Sequence, residues 1–300
     1  MIKKLHELVS VAKSKGKRVI SVAAAHDEEV LEALAEAVKE GLVTPILFGN
    51  KQKIEEIAKH KNIDLSGYEI EDAPDDKKAS ELAVKAVSSG RAQMIMKGLV
   101  SSTIYLGAIL NKEWGLRSGG VISHVMLFES PIADRVMCMT DAAMNVAPDL
   151  KVKVAMVENA IAVMHKVGFE KPKVAILAAI ELVNLDMPAT TDAAIIAKMS
   201  ALKQIKGAIV DGPFAFDNAV SKEAAKIKGI ESPVAGDADI LVTPDIEAGN
   251  VLYKSIGYFV KAKMAAIIVG AKAPIILTSR ADSHEAKFLS IALAAATANA

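Results

Sequence analysis

Short apolar runs alternate with amphipathic stretches along almost the whole chain. Val19-Ile20-Ser21-Val22-Ala23 has the pattern of a buried strand. His26-Asp27-Glu28-Glu29 then opens a helix, with acids against the positive end of its dipole. Val30, Leu31, Leu34, Ala37 and Val38 recur at helical spacing until Gly41 ends the pattern. The same reasoning predicts strands at 45–48, 68–70 and 93–96 and helices at 51–60, 76–88 and 102–111. Asp75-Asp76 caps one of those helices and Ser88-Ser89-Gly90 stops it. In the middle, 121–128 and 135–139 form two strands close in sequence, separated by Ser130-Pro131. The alternation then resumes, with helices predicted at 150–167, 192–202, 218–227, 248–259 and 283–296. Strands are predicted at 174–178, 207–210, 240–242, 265–269 and 274–277. Strand and helix in turn argue an α/β fold, with mostly parallel sheet covered by helices on both faces.

Composition narrows the function. The chain has 300 residues, a length that fits two domains or one large one. The most plausible junction is the irregular stretch around 128–145. Lys+Arg and Asp+Glu are both 36, which excludes a broadly basic nucleic-acid binder and a polybasic membrane clamp. Hydrophobic residues make up 52%, enough for a core and too many for disorder. The one cysteine, Cys138, leaves no internal disulfide or cysteine-based zinc site. It stands among Val136, Met137 and Met139 and behaves as a small hydrophobe. The start turns charged at once, without a secretory apolar run, and no stretch is long enough to span a membrane. A soluble, cytoplasmic protein is the expectation. Only five of the basic residues are arginines, Arg18, Arg91, Arg117, Arg135 and Arg280. Arginine's planar fork suits bidentate anion binding, whereas lysine is the usual choice for a solvated face.

Ligands of open parallel sheets bind beyond the carboxyl ends of strands, so the strand-to-helix turns are the places to look. Lys97-Gly98 with Ser101, Ser102 and Thr103 lies at one such turn, where N–H groups favour an anion. A helix cap with a solvated lysine is the structural alternative. At Asp211-Gly212-Pro213, a strand ends in an acid and Gly-Pro makes a tight turn, with a purely structural role the favoured reading. Pro244, Asp245, Gly249, Asn250 and Lys254 follow the strand at 240–242. Gly and Asn are poor helix formers at a helix start, which favours a ligand reason over a capping one. Finally, a buried strand delivers Ser279 and Arg280 to a helix N-terminus, a good place for a phosphate or an oxyanion. The structural alternative is a cap plus an ion pair of Arg280 with Asp282 or Glu285. His124 lies in an apolar run, and His26, His165 and His284 share no metal-ligand spacing. No Walker motif, Gly-x-Gly-x-x-Gly or Gly-x-Ser-x-Gly is present.

Longer stretches carry a resemblance. They are Met96-Lys97-Gly98, Gly115-Leu116-Arg117-Ser118 with Ser123-His124-Val125, and 140–148, which begins Thr140-Asp141-Ala142. They continue through Ile205-Lys206-Gly207, 217–220, 238–241, 246–255 and 270–274 to Leu277-Thr278-Ser279-Arg280-Ala281-Asp282-Ser283. In these the chain resembles the phosphate acetyl/butyryltransferase family over nearly its whole length. The resemblance implies the reaction acyl-CoA + phosphate ⇌ acyl phosphate + CoA, with a short-chain acyl group, butyryl first and acetyl as the alternative. It implies two α/β domains of the isocitrate/isopropylmalate dehydrogenase-like fold with a cleft between them. The last helix returns to the first domain, which gives expected domains of 1–138 plus 281–300 and 139–280. Ser279 and Arg280 match a serine-arginine pair that holds the acyl phosphate. The acid that assists the thiol matches either Glu285 or Asp282. Arg280 first and Arg117 second are expected on phosphate, both facing the cleft. Lys97, Gly98, Asp211, Gly212, Pro244, Asp245, Gly249, Asn250 and Lys254 complete the expected substrate-binding set. Direct thiol attack in a ternary complex needs no metal and no cofactor beyond CoA as substrate. No nucleic acid or membrane partner is expected, and a homodimer or higher homo-oligomer is. A nicotinamide- and metal-dependent decarboxylating dehydrogenase of the same fold is a remoter reading, with Asp237 and Asp239 a thin metal set. A non-catalytic CoA-binding relative is the last.

Overall fold

The computed structural model describes residues 1–279 and 282–299. Two compact units emerge, and each is interrupted in sequence. A terminal unit comprises His6–Gly120 and Met264–Ala300, and a central unit comprises Met1–Leu5 and Val121–Lys263. The expected boundaries lay at 138/139 and 280/281. The observed ones fall earlier on both sides because strand pairing draws them there. The hairpin at 123–140 pairs with a strand of the central unit, while both strands after residue 263 pair within the terminal unit.

In chain order, the terminal unit begins with α1 (Leu8–Ser14), β1 (Arg18–Ala23), α2 (Glu28–Lys39) and β2 (Val43–Gly49). It continues with α3 (Lys51–Lys61), β3 (Glu69–Asp72), α4 (Asp76–Ser88), β4 (Met94–Lys97) and α5 (Ser102–Ile109). The central unit holds β5 (Ser123–Glu129), β6 (Val136–Thr140), α6 (Leu150–Lys166), β7 (Lys173–Leu177), α7 (Pro188–Ala201) and β8 (Ile209–Phe214). After these come α8 (Phe216–Val220), α9 (Lys222–Ile227), β9 (Ile240–Val242) and α10 (Ile246–Ser255). The chain returns to the terminal unit with β10 (Met264–Val269), β11 (Ile275–Ile276) and α11 (His284–Thr297).

The terminal unit orders its strands β3-β2-β1-β4-β11-β10, and the central unit β5-β6-β9-β7-β8. Within each unit, the pairs are parallel except β5 with β6 and β10 with β11. The expected α/β fold with mostly parallel sheet is therefore present. Helices start at capping side chains: Asp27, Asp75, Ser101, Asp149, Asp245 and Ser283 each accept the N–H three residues on. Helix α11 is buried at every position from Lys287 to Thr297, so it is a core element and not a surface one. It packs on α1, α2 and β10 of its own unit.

Several elements differ from the sequence reading. Helix α1 was not anticipated, being only seven residues long. The helix expected at 218–227 is two, because Ser221 leaves the first in an extended conformation and caps the second. The helix expected at 248–259 ends at Ser255 and passes into a π-turn, Ile256–Val260. Gly212-Pro213 makes no tight turn: both residues lie inside β8. A Cβ on Gly212 would stand 2.8 Å from the Ile176 carbonyl, so neighbouring β7 needs a glycine there.

At the entry ends of β6, β7 and β9, four charges stitch the central unit together. Arg135 Nη1 lies 3.2 Å from both Asp237 and Asp239, and its Nη2 donates to the Ala238 carbonyl at 2.9 Å. Lys173 donates its main-chain N–H to Asp239 at 2.8 Å and its ammonium to Asp237 at 2.5 Å. Burial pushes the Asp239 carboxyl up. Burial opposes ionisation of Asp237 as well, but Lys173 and Arg135 hold it below the usual carboxylate range. These two acids are thus partners of cations, and among the described residues no cluster has the make-up of a metal site.

Cys138, in the middle of β6, is fully buried, and burial raises its thiol pKa. A thiol-specific chromogenic reagent is expected to find no reactive thiol in the native protein and one per chain after denaturation. A fast-reacting native thiol would contradict this packing.

Candidate active site

In the terminal unit, β1, β4 and β11 lie side by side and parallel, so their carboxyl ends share one edge. Two of the sequence-predicted turns meet there. The first leaves β4 at Lys97-Gly98. A Cβ on Gly98 would come within 2.2 Å of the Ala24 carbonyl, so only glycine lets the two backbones approach. The N–H groups of Gly98 and Leu99 donate to Ala23 and Ala24, both at 2.8 Å, and Val100 N–H donates to Gly98 at 3.0 Å. These donors are committed and form no phosphate cradle. Lys97 is 5% exposed, and its ammonium donates to the Gly98 and Val100 carbonyls at 3.1 Å each. It braces the turn from below and does not stand in solvent.

The second turn leaves β11 toward α11. Ser279 N–H donates to Asp282 Oδ2 at 2.7 Å, and Asp282 N–H donates back to the Ser279 carbonyl at 3.1 Å. Ser283 Oγ accepts Ala286 N–H at 3.2 Å and caps the helix. Glu285, in the first turn of α11, is exposed. Of the two candidate acids, Asp282 is thus engaged with the turn's own main chain. Arg280 lies outside the described residues. Arg117 pairs with Ala271 in an isolated antiparallel bridge, and its neighbour Ser118 donates to the Gly270 carbonyl. The Arg117 residue is exposed, and among the described residues its guanidinium makes no ion pair. Arg91 is committed to Glu69 and Glu71, and Arg135 to the stitch above.

In the central unit, the parallel strands β6 and β9 end together, Thr140 opposite Val242. Asp141, 1% exposed, accepts Ala143 N–H at 2.8 Å and Met144 N–H at 3.0 Å on one oxygen, and Asn145 Nδ2 at 2.6 Å on the other. Asn145 also donates to the Ile122 carbonyl at 2.9 Å. Thr243 Oγ1 donates to the Asp141 carbonyl at 3.0 Å, and Asn250 Nδ2 to the Ala142 carbonyl at 3.2 Å. A Cβ on Gly249 would stand 2.0 Å from the Asp141 carbonyl and 2.8 Å from Thr243 Oγ1. Gly249 and Asn250 therefore have a structural reason: they let α10 lie against the 140–142 backbone. The sequence reading had taken their helix-unfriendly character as a ligand signal.

Asp245 caps α10 by accepting Ala248 N–H at 2.8 Å, and Pro244 precedes it. Lys254 lies over the Tyr253 ring, 5.1 Å from its centre, and Tyr253 meets His124 edge-on at 5.6 Å. Asp211 is not at this edge. It accepts Ser232 Oγ at 2.5 Å and lines a cavity of about 630 Å³ with Lys171, Lys203 and Lys206, near the start of β8. The predicted residues thus fall into two groups. Lys97, Gly98, Arg117, Ser279, Asp282 and Glu285 belong to the terminal unit, and Asp211, Gly212, Pro244, Asp245, Gly249, Asn250 and Lys254 to the central one. The sequence reading missed Asp141 and Asn145 as turn builders. Their Asp-x-x-x-Asn spacing just after a strand was the available signal.

Known proteins align with this arrangement over nearly its full length. A family model described as "Phosphate acetyl/butaryl transferase" matches residues 3–85 and 76–295. A phosphate butyryltransferase of Clostridium beijerinckii is 52% identical over 298 residues, 99% of each chain. A phosphate acetyltransferase of Thermotoga maritima is 47% identical over 291 residues, 97% of this chain and 98% of its own. Among solved structures, a branched-chain phosphotransacylase from Enterococcus faecalis V583 superposes with a TM-score of 0.83 at 34% identity, covering 93% of this chain and 98% of that one. A 4-hydroxythreonine-4-phosphate dehydrogenase from Burkholderia phymatum reaches 0.54 at 14% identity over 94% and 99% of the two chains, a likeness of fold alone.

Because Gly249 is pressed against Asp141 and Thr243, Gly249→Ala is expected to cost about 2–3 kcal/mol by overpacking. That corresponds to a Tm lower by roughly 4–12 °C in a thermal melt. A melt indistinguishable from the parent would refute the tight approach.

Proposed function

The chain belongs to the phosphate acetyl/butaryl transferase family, and from that premise we propose that it transfers a short-chain acyl group, butyryl first, between CoA and inorganic phosphate. The observation that carries the chemical reading is the turn after β11. It holds Ser279 between the end of a buried strand and the N-terminus of the 14-residue α11, where the helix dipole favours an anion. Butyryl ranks before acetyl because the butyryltransferase relative is 52% identical and the acetyltransferase relative 47%. CoA enters as a substrate, and the reading requires no metal and no other cofactor.

The step is a direct displacement. The CoA thiol gives its proton to a carboxylate, assigned to Glu285. The sulfur then attacks the acyl carbonyl carbon of the acyl phosphate and forms the C–S bond. The carbonyl electrons move onto oxygen, and Ser279 with nearby N–H groups donates to that oxyanion. When the carbonyl re-forms, the C–O bond to phosphate breaks and the phosphate leaves with its electron pair. Arg280 takes the phosphate charge, with Arg117 second. A general base of this kind is worth roughly 10²–10⁴-fold in rate, and one oxyanion donor about 3–4 kcal/mol. Lys97 and Gly98 shape the turn after β4, Pro244, Asp245, Gly249 and Asn250 shape the turn after β9, and Lys254 is kept as a CoA contact. The cytoplasm is the compartment this reaction calls for. Homo-oligomeric assembly is supported by the apolar surface at the π-turn, where Tyr258 and Phe259 are 65% and 87% exposed.

The decisive experiment mixes phosphate with acyl-CoA of two to five carbons and follows free thiol. Thiol release fastest with four carbons is the expected result, fastest with two would shift the reading to acetyl, and none at any length would end it. Arg280→Lys keeps the charge but loses the planar fork, and is expected to lower turnover at least about tenfold in a folded protein.

Glu285→Gln is expected to lower kcat about 10²-fold or more with little change in CoA binding. If Asp282→Asn has this effect and Glu285→Gln does not, the base is Asp282.

A further inference from the structure

Lys287 is the largest charged side chain in the core of the terminal unit. It is 2% exposed, yet its ammonium sits under the turn that carries Ser279, donating to the Asp282 carbonyl at 2.6 Å. Two forces oppose a cation here. Burial strips its hydration, and the first turns of a helix repel positive charge. Packing does not ask for it either, since Phe288, Leu289, Ile291 and Leu293 fill the surrounding core with apolar groups. What the ammonium does hold is Asp282, and Asp282 in turn holds Ser279 by the reciprocal pair of hydrogen bonds at 2.7 and 3.1 Å. The lysine's own N–H is tied to Ser283 at 3.0 Å, so its stem starts from a fixed helix turn.

We infer that Lys287 is a positioning residue for the acyl-transfer step. Its ammonium clamps the Asp282 carbonyl, and the clamped Asp282 carboxylate accepts Ser279 N–H, which fixes the serine where the oxyanion develops. Asp282 is then a turn-holder and Glu285 the base. The inference rests on the proposed role of Ser279, and the test separates the two.

Four single variants and one double variant are compared by kcat, by KM for acyl-CoA and for phosphate, and by circular dichroism. Ser279→Ala comes first: unchanged turnover there would overturn the reading of the site itself. With Ser279→Ala impaired, Lys287→Met is expected to lower kcat at least tenfold with both KM values within threefold of the parent. A folded Lys287→Met with kcat within threefold of the parent overturns the inference alone. So does a more than tenfold rise in the phosphate KM at unchanged kcat, which would make Lys287 a binding group. Asp282→Ala is expected to lose at least tenfold, and Asp282→Asn, whose amide oxygen still accepts Ser279 N–H, to lose at least fivefold less. Equal losses in the two overturn the inference, and this comparison stands even if Lys287→Met fails to fold. In the double variant Lys287→Met/Asp282→Ala, the loss is expected to match the larger single loss. Losses that multiply would mean the two residues act independently.

Discussion

Every strand-to-helix turn at the carboxyl edge of a parallel sheet faces the same constraint. The backbone leaves the ladder, so its N–H and C=O groups lose their partners just where the fold is becoming buried. A buried, unpaired polar group costs on the order of 1–3 kcal/mol. In both units of this protein, side chains meet that cost. Lys97 and Lys287 donate to main-chain carbonyls in the terminal unit. Thr243 and Asn250 do so in the central unit, where Asp141 supplies the complementary acceptors. The turns that could present groups to a ligand are rigid because each is pinned from beneath.

That arrangement explains which parts of the fold were legible in sequence. Regular elements announce themselves through period and caps: the strand Ile240–Val242 falls where the apolar run placed it, and Asp75 caps the helix its position suggested. Breaks within a helical pattern do not. The π-turn after Ser255 keeps Tyr258 and Phe259 near helical spacing, so periodicity sees one element where there are two geometries. Likewise Ser221 sits in a stretch that helical spacing runs straight through, though its side chain starts a new helix. Gly212-Pro213 has turn composition but strand geometry, because what decides its conformation is the β7 backbone beside it.

At the candidate site, the position of the special turns was more legible than the work of their individual residues. A glycine, a hydroxyl or an acid at the end of a buried strand marks a special turn whether it binds ligand or supports backbone. Gly249 and Asn250 carry that ligand signal, and their contacts with Asp141 and Ala142 show that support suffices to require them. Lysine misled in the same way. Thirty-one lysines against five arginines suggested that lysine covers the solvated surface. Lys97, Lys153 and Lys287 are instead buried, at 5%, 6% and 2% exposure. Lys153 is matched by Asp192 at 2.7 Å. The other two are matched by carbonyls, whose positions along the chain carry no sequence signature.

A neutral chain proposed to act on anions needs its positive potential to be local, and the terminal unit supplies it in an economical form. Two of the three buried ammonium groups underlie neighbouring turns, at the ends of β4 and β11, which are paired in parallel. A lysine exposed in those turns would place its charge in water, where screening and side-chain freedom weaken it. Held under the turn on carbonyl oxygens, the same charge keeps a fixed position in a lower dielectric. It also leaves the upper side of the turn to Ser279 and the N-terminus of α11. The division of labour follows from that geometry. Buried lysines set the turns and their field, and the placement of the groups those turns carry depends on what lies beneath them.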